Sequence, residues 1–122
     1  MKETNHGPVR FVNCAFWGPA EHVARSFGQG LTGFSSCTFS SWNSKTYAIE
    51  ARGGSVLVDA CEFQLDGPQL FIGSDVRRAI MTSCMLTGDQ RVNIEETAKP
   101  RTTSVHIANN AVEEKDVGVE IL

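Results

Sequence analysis

Two aspartates lie in similar turns, Asp66 in Asp66-Gly67-Pro68 and Asp89 in Thr87-Gly88-Asp89. If the chain repeats with the interval between them, their carboxyls come to lie about one strand spacing apart. That is near the ~5 Å separation of a retaining glycosidase, and one of the two would hold a proton near neutral pH. The same residues equally suit turn chemistry in solvated loops. Glu50 offers another acid, and Arg25 and Arg52 offer guanidinium forks that match the carboxylate of a sugar acid. Asp66, Asp89 and Glu50 are therefore the candidate catalytic residues, against the alternative that such charges form a solvated face. Flat rings with polar edges suit stacking on sugars, and they also suit covering the ends of a core. Trp42, set among Ser40, Ser41, Asn43 and Ser44, then Tyr47 and Phe71, join Arg25 and Arg52 as candidate substrate-binding residues.

Other chemistries find no support. The histidines His6, His22 and His106 fall at unrelated places and no Cys-x-x-Cys pair occurs, so no zinc site and no metal are expected. Gly28-Gln29-Gly30 lacks the rest of a phosphate loop, no serine has nucleophile-elbow surroundings, and no cofactor is expected. With 11 basic against 14 acidic residues, a net charge of −3 and no basic run, the chain carries no footprint for nucleic acid or for an anionic membrane surface. The opening "MKETNHGP" has no apolar stretch of a signal peptide, and no apolar run approaches the roughly 20 residues of a membrane span. Localisation stays open.

What must position the candidates is a repeat. The four cysteines, Cys14, Cys37, Cys61 and Cys84, follow one another at intervals of 23, 24 and 23, each inside a similar phrase: "VRFVNCAF", "TGFSSCTF", "VLVDACEF", "AIMTSCML". A fifth copy runs from Val105 to Val112, with Asn110 in the cysteine's place after a slightly longer interval. Within each copy apolar residues alternate up to a break, which reads as a strand, a bend and a shorter strand. A further apolar segment follows each copy: His22 to Ala24, Tyr47 to Ala51, Leu70 to Ile72, Val92 to Ile94 and Val117 to Ile121. Gly18-Pro19, Gly53-Gly54, Gly67-Pro68 and Thr87-Gly88-Asp89 punctuate them.

Three short strands in each such period, with helical windows only at Pro19 to Phe27 and Val92 to Ala98, specify an all-β parallel solenoid. One domain is expected over residues 1–122, with a tail at 1–8 and about five turns from 9 to 122. The 122 residues are enough to bury a core. At the bend, the cysteines and Asn110 should stack as an internal ladder spaced by the ~4.8 Å between strands. Phe16, Phe39, Phe63, Leu86 and Val112 should stack just beyond it, and Phe11, Phe34, Val58, Met81 and Ile107 should line the facing wall.

This pattern of apolar-x-apolar, two small or polar residues, Asn or Cys, x and Phe, after a strand such as "YAIEARGG", resembles the right-handed parallel β-helix of the pectate lyase-like superfamily. The resemblance covers Val9 to Leu122 and implies contact with carbohydrate, as a polysaccharide lyase or glycoside hydrolase if there is catalysis. It also implies a cleft along the exposed side of the second segments, at His22 or Ala24, then Glu50, Phe71, Asn93 and Glu120. The Asn-Thr-Asp and Asp-Asp motifs of polygalacturonase-type hydrolases are absent, which favours a module incomplete as an enzyme.

The expected partner is thus a polysaccharide or glycan, with a structural module of the tailspike or adhesin-stem kind as the alternative. An apolar strand at the carboxy end, "VGVEIL", presents an unpaired edge, so a homo-oligomer is expected through solenoid edges or sides.

Overall fold

In the computed structural model the described residues are 7–17, 23–42, 46–97 and 104–113. The first turn holds β1 (Val9–Val12), β2 (Ala15–Phe16) and β3 (Ala24–Ser26), and the second holds β4 (Leu31–Ser35), β5 (Thr38–Phe39) and β6 (Ile49–Ala51). β7 (Gly54–Asp59), β8 (Glu62–Phe63) and β9 (Leu70–Ile72) make the third. The fourth runs through β10 (Val76–Thr82), β11 (Met85–Thr87), the single helical turn α1 (Gln90–Asn93) and β12 (Ile94–Glu96). β13 (Ser104–Ala108) and β14 (Ala111–Glu113) begin another. Equivalent strands pair in parallel into three sheets, β1-β4-β7-β10-β13, β14-β11-β8-β5-β2 and β12-β9-β6-β3. The fold is therefore a parallel β-solenoid of about four turns among the described residues, one fewer than the sequence expectation. The segment 117–121, with Glu120, and residues His6 and His22 lie outside the described residues.

The bend between first and second sheets is the same in every turn. Asn13, Ser36, Ala60, Ser83 and Asn109 all adopt left-handed backbone, with φ between 51 and 59°. Each immediately precedes a ladder residue, so a single reversed residue turns the chain and aims the next side chain inward. Cys14, Cys37, Cys61 and Cys84 are free thiols, the last three buried. Each buried thiol shares its proton between a carbonyl two residues back and one in the preceding turn: Cys61 Sγ lies 3.3 Å from both Asp59 O and Phe34 O. Cys37 does the same with Ser35 O and Phe11 O, and Cys84 with Thr82 O and Val58 O. Asn110 continues the ladder by donating from Nδ2 to Met81 O at 3.5 Å.

Both predicted core rows are present, except that Val112, at the end of the second row, is 43% exposed and not part of the core. Phe11, Phe34, Val58, Met81 and Ile107 pair in one unbroken register across the first sheet. In the second sheet Phe16, Phe39 and Phe63 stack with ring centroids 5.2 and 4.6 Å apart, and Leu86 pairs with Val112. The walls meet edge to face, as at Phe34 and Phe39, 5.5 Å apart. Burying each such ring contributes ~1.5–3 kcal/mol, the main force holding successive turns together.

Candidate functional site

Period-two alternation in the third sheet sends one set of side chains into the core and the other outward. Ala24, Ile49, Leu70 and Ile94 form one register row facing in, and Arg25, Glu50, Phe71 and Glu95 form the adjacent row facing out. The outward row brings a cation, an acid, a ring and a second acid into line along the solenoid axis.

Glu50 is the hub of this face. Although it points away from the core it is only 5% exposed, because its neighbours cover it. Arg25 Nε approaches Glu50 Oε2 at 3.0 Å, and Arg52 brings both Nε and Nη2 to Oε1 at 2.5 Å. A buried carboxylate is tolerable only when paired in this way, and two guanidiniums on one carboxylate leave a net positive charge. Both arginines also lie over rings, Arg25 over Phe27 at 5.1 Å and Arg52 over Phe71 at 4.6 Å. Tyr47 packs against Phe71 at 5.4 Å and donates its hydroxyl to a Glu95 carboxylate oxygen. Burial, then the Glu95 carboxylate accepting that bond, push the Tyr47 hydroxyl up to about 12. The phenol is therefore a fixed donor at neutral pH.

Five of the sequence-predicted residues, Arg25, Glu50, Arg52, Tyr47 and Phe71, are thus gathered on one face. Trp42 is elsewhere: it is 3% exposed, its ring meets Phe63 edge-on at 6.2 Å, and its indole N–H donates to Pro68 O at 2.7 Å. Its ring covers the core and presents no open face to a sugar. Asp66 and Asp89 each bind a partner other than the other. Asp66 Oδ1 accepts from Asn93 Nδ2 at 3.0 Å. Asp89 accepts the Arg91 backbone N–H at 2.9 Å, capping α1, and also holds the Arg91 guanidinium. Arg91 keeps the Asp89 carboxyl below its ordinary range, the reverse of what a proton-holding acid needs.

Two members of the expected cleft row also move. Ala24 faces inward with Arg25 outward in its place, and Glu95 occupies the position expected for Asn93, which is buried beside Asp66. The reason is local: α1 takes up Gln90–Asn93, and β11 extends one residue further than β8. Glu95 therefore follows its partner Phe71 by one position more than Cys84 follows Cys61. Alternation in "NIEE" was the signal for Glu95, but the register was not readable without the helix. Phe27 was missed because it lies just past the end of β3.

Among the described residues no group of three or more His, Cys, Asp or Glu side chains is arranged to hold a metal ion. No described helix is long and apolar enough to cross a membrane. Compared with family models, with curated proteins and with solved structures, the chain finds no match.

Proposed function

We propose that this chain is a carbohydrate-binding β-helix module that holds a polysaccharide along the outer face of its third sheet. The observation that carries the reading is the outward row Arg25, Glu50, Phe71 and Glu95, flanked by Tyr47 and Arg52. Partly exposed rings offer faces for the apolar side of a sugar, and the surrounding charges offer partners for its hydroxyls. The resemblance of the repeat to pectate lyase-like β-helices supports the same ligand class. Binding is favoured over turnover because the candidate acids are occupied: Glu50 by two guanidiniums, Asp89 by Arg91 and Asp66 by Asn93. Titration calorimetry with pectin, alginate and xylan fragments tests the proposal. Phe71→Ala and Tyr47→Ala are expected each to weaken binding by about tenfold or more. The absence of binding to any glycan overturns it, and a rise in reducing ends on the same polymers would replace binding by hydrolysis or lysis.

A second reading, an assembly module, is favoured by Val12 and Met85, each 58% exposed, and Ile80, 42% exposed, on the outer faces of the first two sheets. These can serve side-by-side packing of a second copy. Light scattering coupled to gel filtration, showing a dimer or trimer without ligand, would support it.

A further inference from the structure

The four ladder thiols stand in single file along the solenoid axis. Cys14 and Cys37 fall between the register pairs Val12 with Ser35 and Ala15 with Thr38. Cys37 and Cys61 fall between Ser35 with Asp59 and Thr38 with Glu62, and Cys61 and Cys84 between Asp59 with Thr82 and Glu62 with Met85. Successive cysteines are therefore one strand spacing apart, about 4.8 Å. All four side chains take the same aim, since each Sγ lies 3.3 to 3.5 Å from the carbonyl two residues before it, namely Val12 O, Ser35 O, Asp59 O and Thr82 O. The sulfurs thus repeat at the interval of the backbone.

That interval suits one kind of bond. A disulfide needs its sulfurs about 2.05 Å apart and its Cβ atoms within about 3.5–4.5 Å, so direct oxidation would have to draw two turns together. Zinc in a structural site asks for four ligands in a tetrahedron, and among the described residues no group of even three suitable side chains assembles. Two metal–sulfur bonds of about 2.3 Å placed in line, by contrast, span about 4.6 Å. A soft, closed-shell monovalent ion selects thiolate sulfur and accepts two such ligands in line.

The ladder is most accessible to an ion at its first rung. Cys37, Cys61 and Cys84 are each 1% exposed, whereas Cys14 is half-buried. Each buried thiol is held by two carbonyls, but Cys14 by Val12 O alone among the described residues. The corner also supplies a donor to an ionised sulfur. Asn110 Oδ1 accepts the Cys84 N–H, so the N–H of one ladder residue points at the side chain of the next. Burial raises the Cys37 thiol above its ordinary range, while the Cys14 N–H pulls it the other way. Once a metal has replaced the proton, that N–H remains to steady the sulfur.

We infer that Cys14 and Cys37 bind one soft monovalent metal ion, of the copper(I) class, as a linear two-sulfur bridge between the first two turns. The ion displaces one proton from each thiol, so a bis-thiolate of net charge −1 forms and two protons pass to solvent. No electron is transferred. The site lies at the corner of the first and second sheets, away from the third-sheet face, and is independent of what that face binds.

The test is an anaerobic titration of the reduced chain with copper(I), using a chromophoric chelator as competitor. The first equivalent is expected to bind with release of two protons, and X-ray absorption of the bound copper should show two sulfur neighbours and no third ligand. Cys14→Ser, at a half-buried position that should not disturb folding, is expected to weaken binding by about a hundredfold, and Cys84→Ala to leave it unchanged. Copper(I) should raise the urea midpoint of the wild-type chain, because an ion held by the folded ladder favours the folded state. Zinc(II) should not compete. No binding, binding that Cys14→Ser leaves intact, or three or four ligands on the copper overturns the site. So does a lowered urea midpoint, which marks capture of the metal by the unfolded chain.

Discussion

Asn110 Oδ1 accepts the backbone N–H of Cys84 at 3.0 Å, a bond that a thiol at the same ladder position could not copy at that length. With Nδ2 on Met81 O, the side chain ties the last described corner to the turn before it twice. Asn110→Ala is expected to cost about 1–2 kcal/mol in urea unfolding, roughly one net hydrogen bond for each tie. Asn110→Cys should cost less. Cys61→Leu, in the middle of the ladder, should overpack it and cost about 1–3 kcal/mol.

The four thiols are free, and burial pushes Cys37 up from its ordinary range. Cys61 is pushed up as well, first by the Cys84 thiol against it and then by burial. Protonated thiols are poor nucleophiles. Burial also keeps the reagent from Cys37, Cys61 and Cys84, so Ellman's reagent should react first with the half-buried Cys14 and reach all four only after denaturation. Prompt modification of all four in the native chain would contradict the closed ladder.

Ala60 holds left-handed backbone at φ 51° and is exposed, so it bears the strain of the corner with no side-chain compensation. Asn13 and Asn109 occupy the equivalent place with a residue that tolerates it better. Ala60→Asn should raise stability by up to about 1 kcal/mol, and Ala60→Val should lower it by more than that. Thermal melts of the two variants would separate in opposite directions.

Trp42 is expected to matter for stability. Trp42→Ala should cost about 3–5 kcal/mol, as for other buried large rings, and leaves Pro68 O without its donor. Glycan affinity of the folded fraction should be unchanged. Lost affinity with unchanged melting would return the ring to the ligand.

Tyr47 is the only tyrosine, so its titration can be followed directly by tyrosinate absorbance. The folded chain should titrate near pH 12 and the unfolded chain near 10. Because the folded state keeps the proton that the unfolded state releases, this contribution to stability is fully present below pH 10 and is lost as pH rises from 10 to 12. Glu95→Gln should bring the folded value down, and Tyr47→Phe should remove the alkaline dependence.

The sequence made the period, the ladder and both aromatic rows legible because one local rule governs them: every first-to-second-sheet corner is two residues long. With that length constant, counting from a cysteine places Phe39, Phe63 and Met81 without ambiguity. The third sheet was harder to read, since the connection from Phe39 to Ile49 is longer than those from Phe63 to Leu70 and from Thr87 to Ile94. A one-residue error there exchanges inside for outside. Asn93 was misplaced because α1 takes up Gln90–Asn93 ahead of β12, and Ala24 was misplaced by one position against Arg25, while Glu50 and Phe71 were placed correctly. Trp42 looked like a loop residue because its neighbours are serines and asparagine; its anchor, Pro68 O, is a full turn further along the chain and leaves no local trace.

The invariant corner also determines where this chain can tolerate change. Insertions at Asn13, Ser36, Ala60, Ser83 or Asn109 would throw an entire turn out of step with its neighbours, whereas the connections leading into and out of the third sheet already differ in length from turn to turn. Those tolerant connections border the outward row. A descendant of this sequence can therefore gain or lose residues around the outward row, the face proposed to bind glycan, while its ladder and stacked rings are inherited intact.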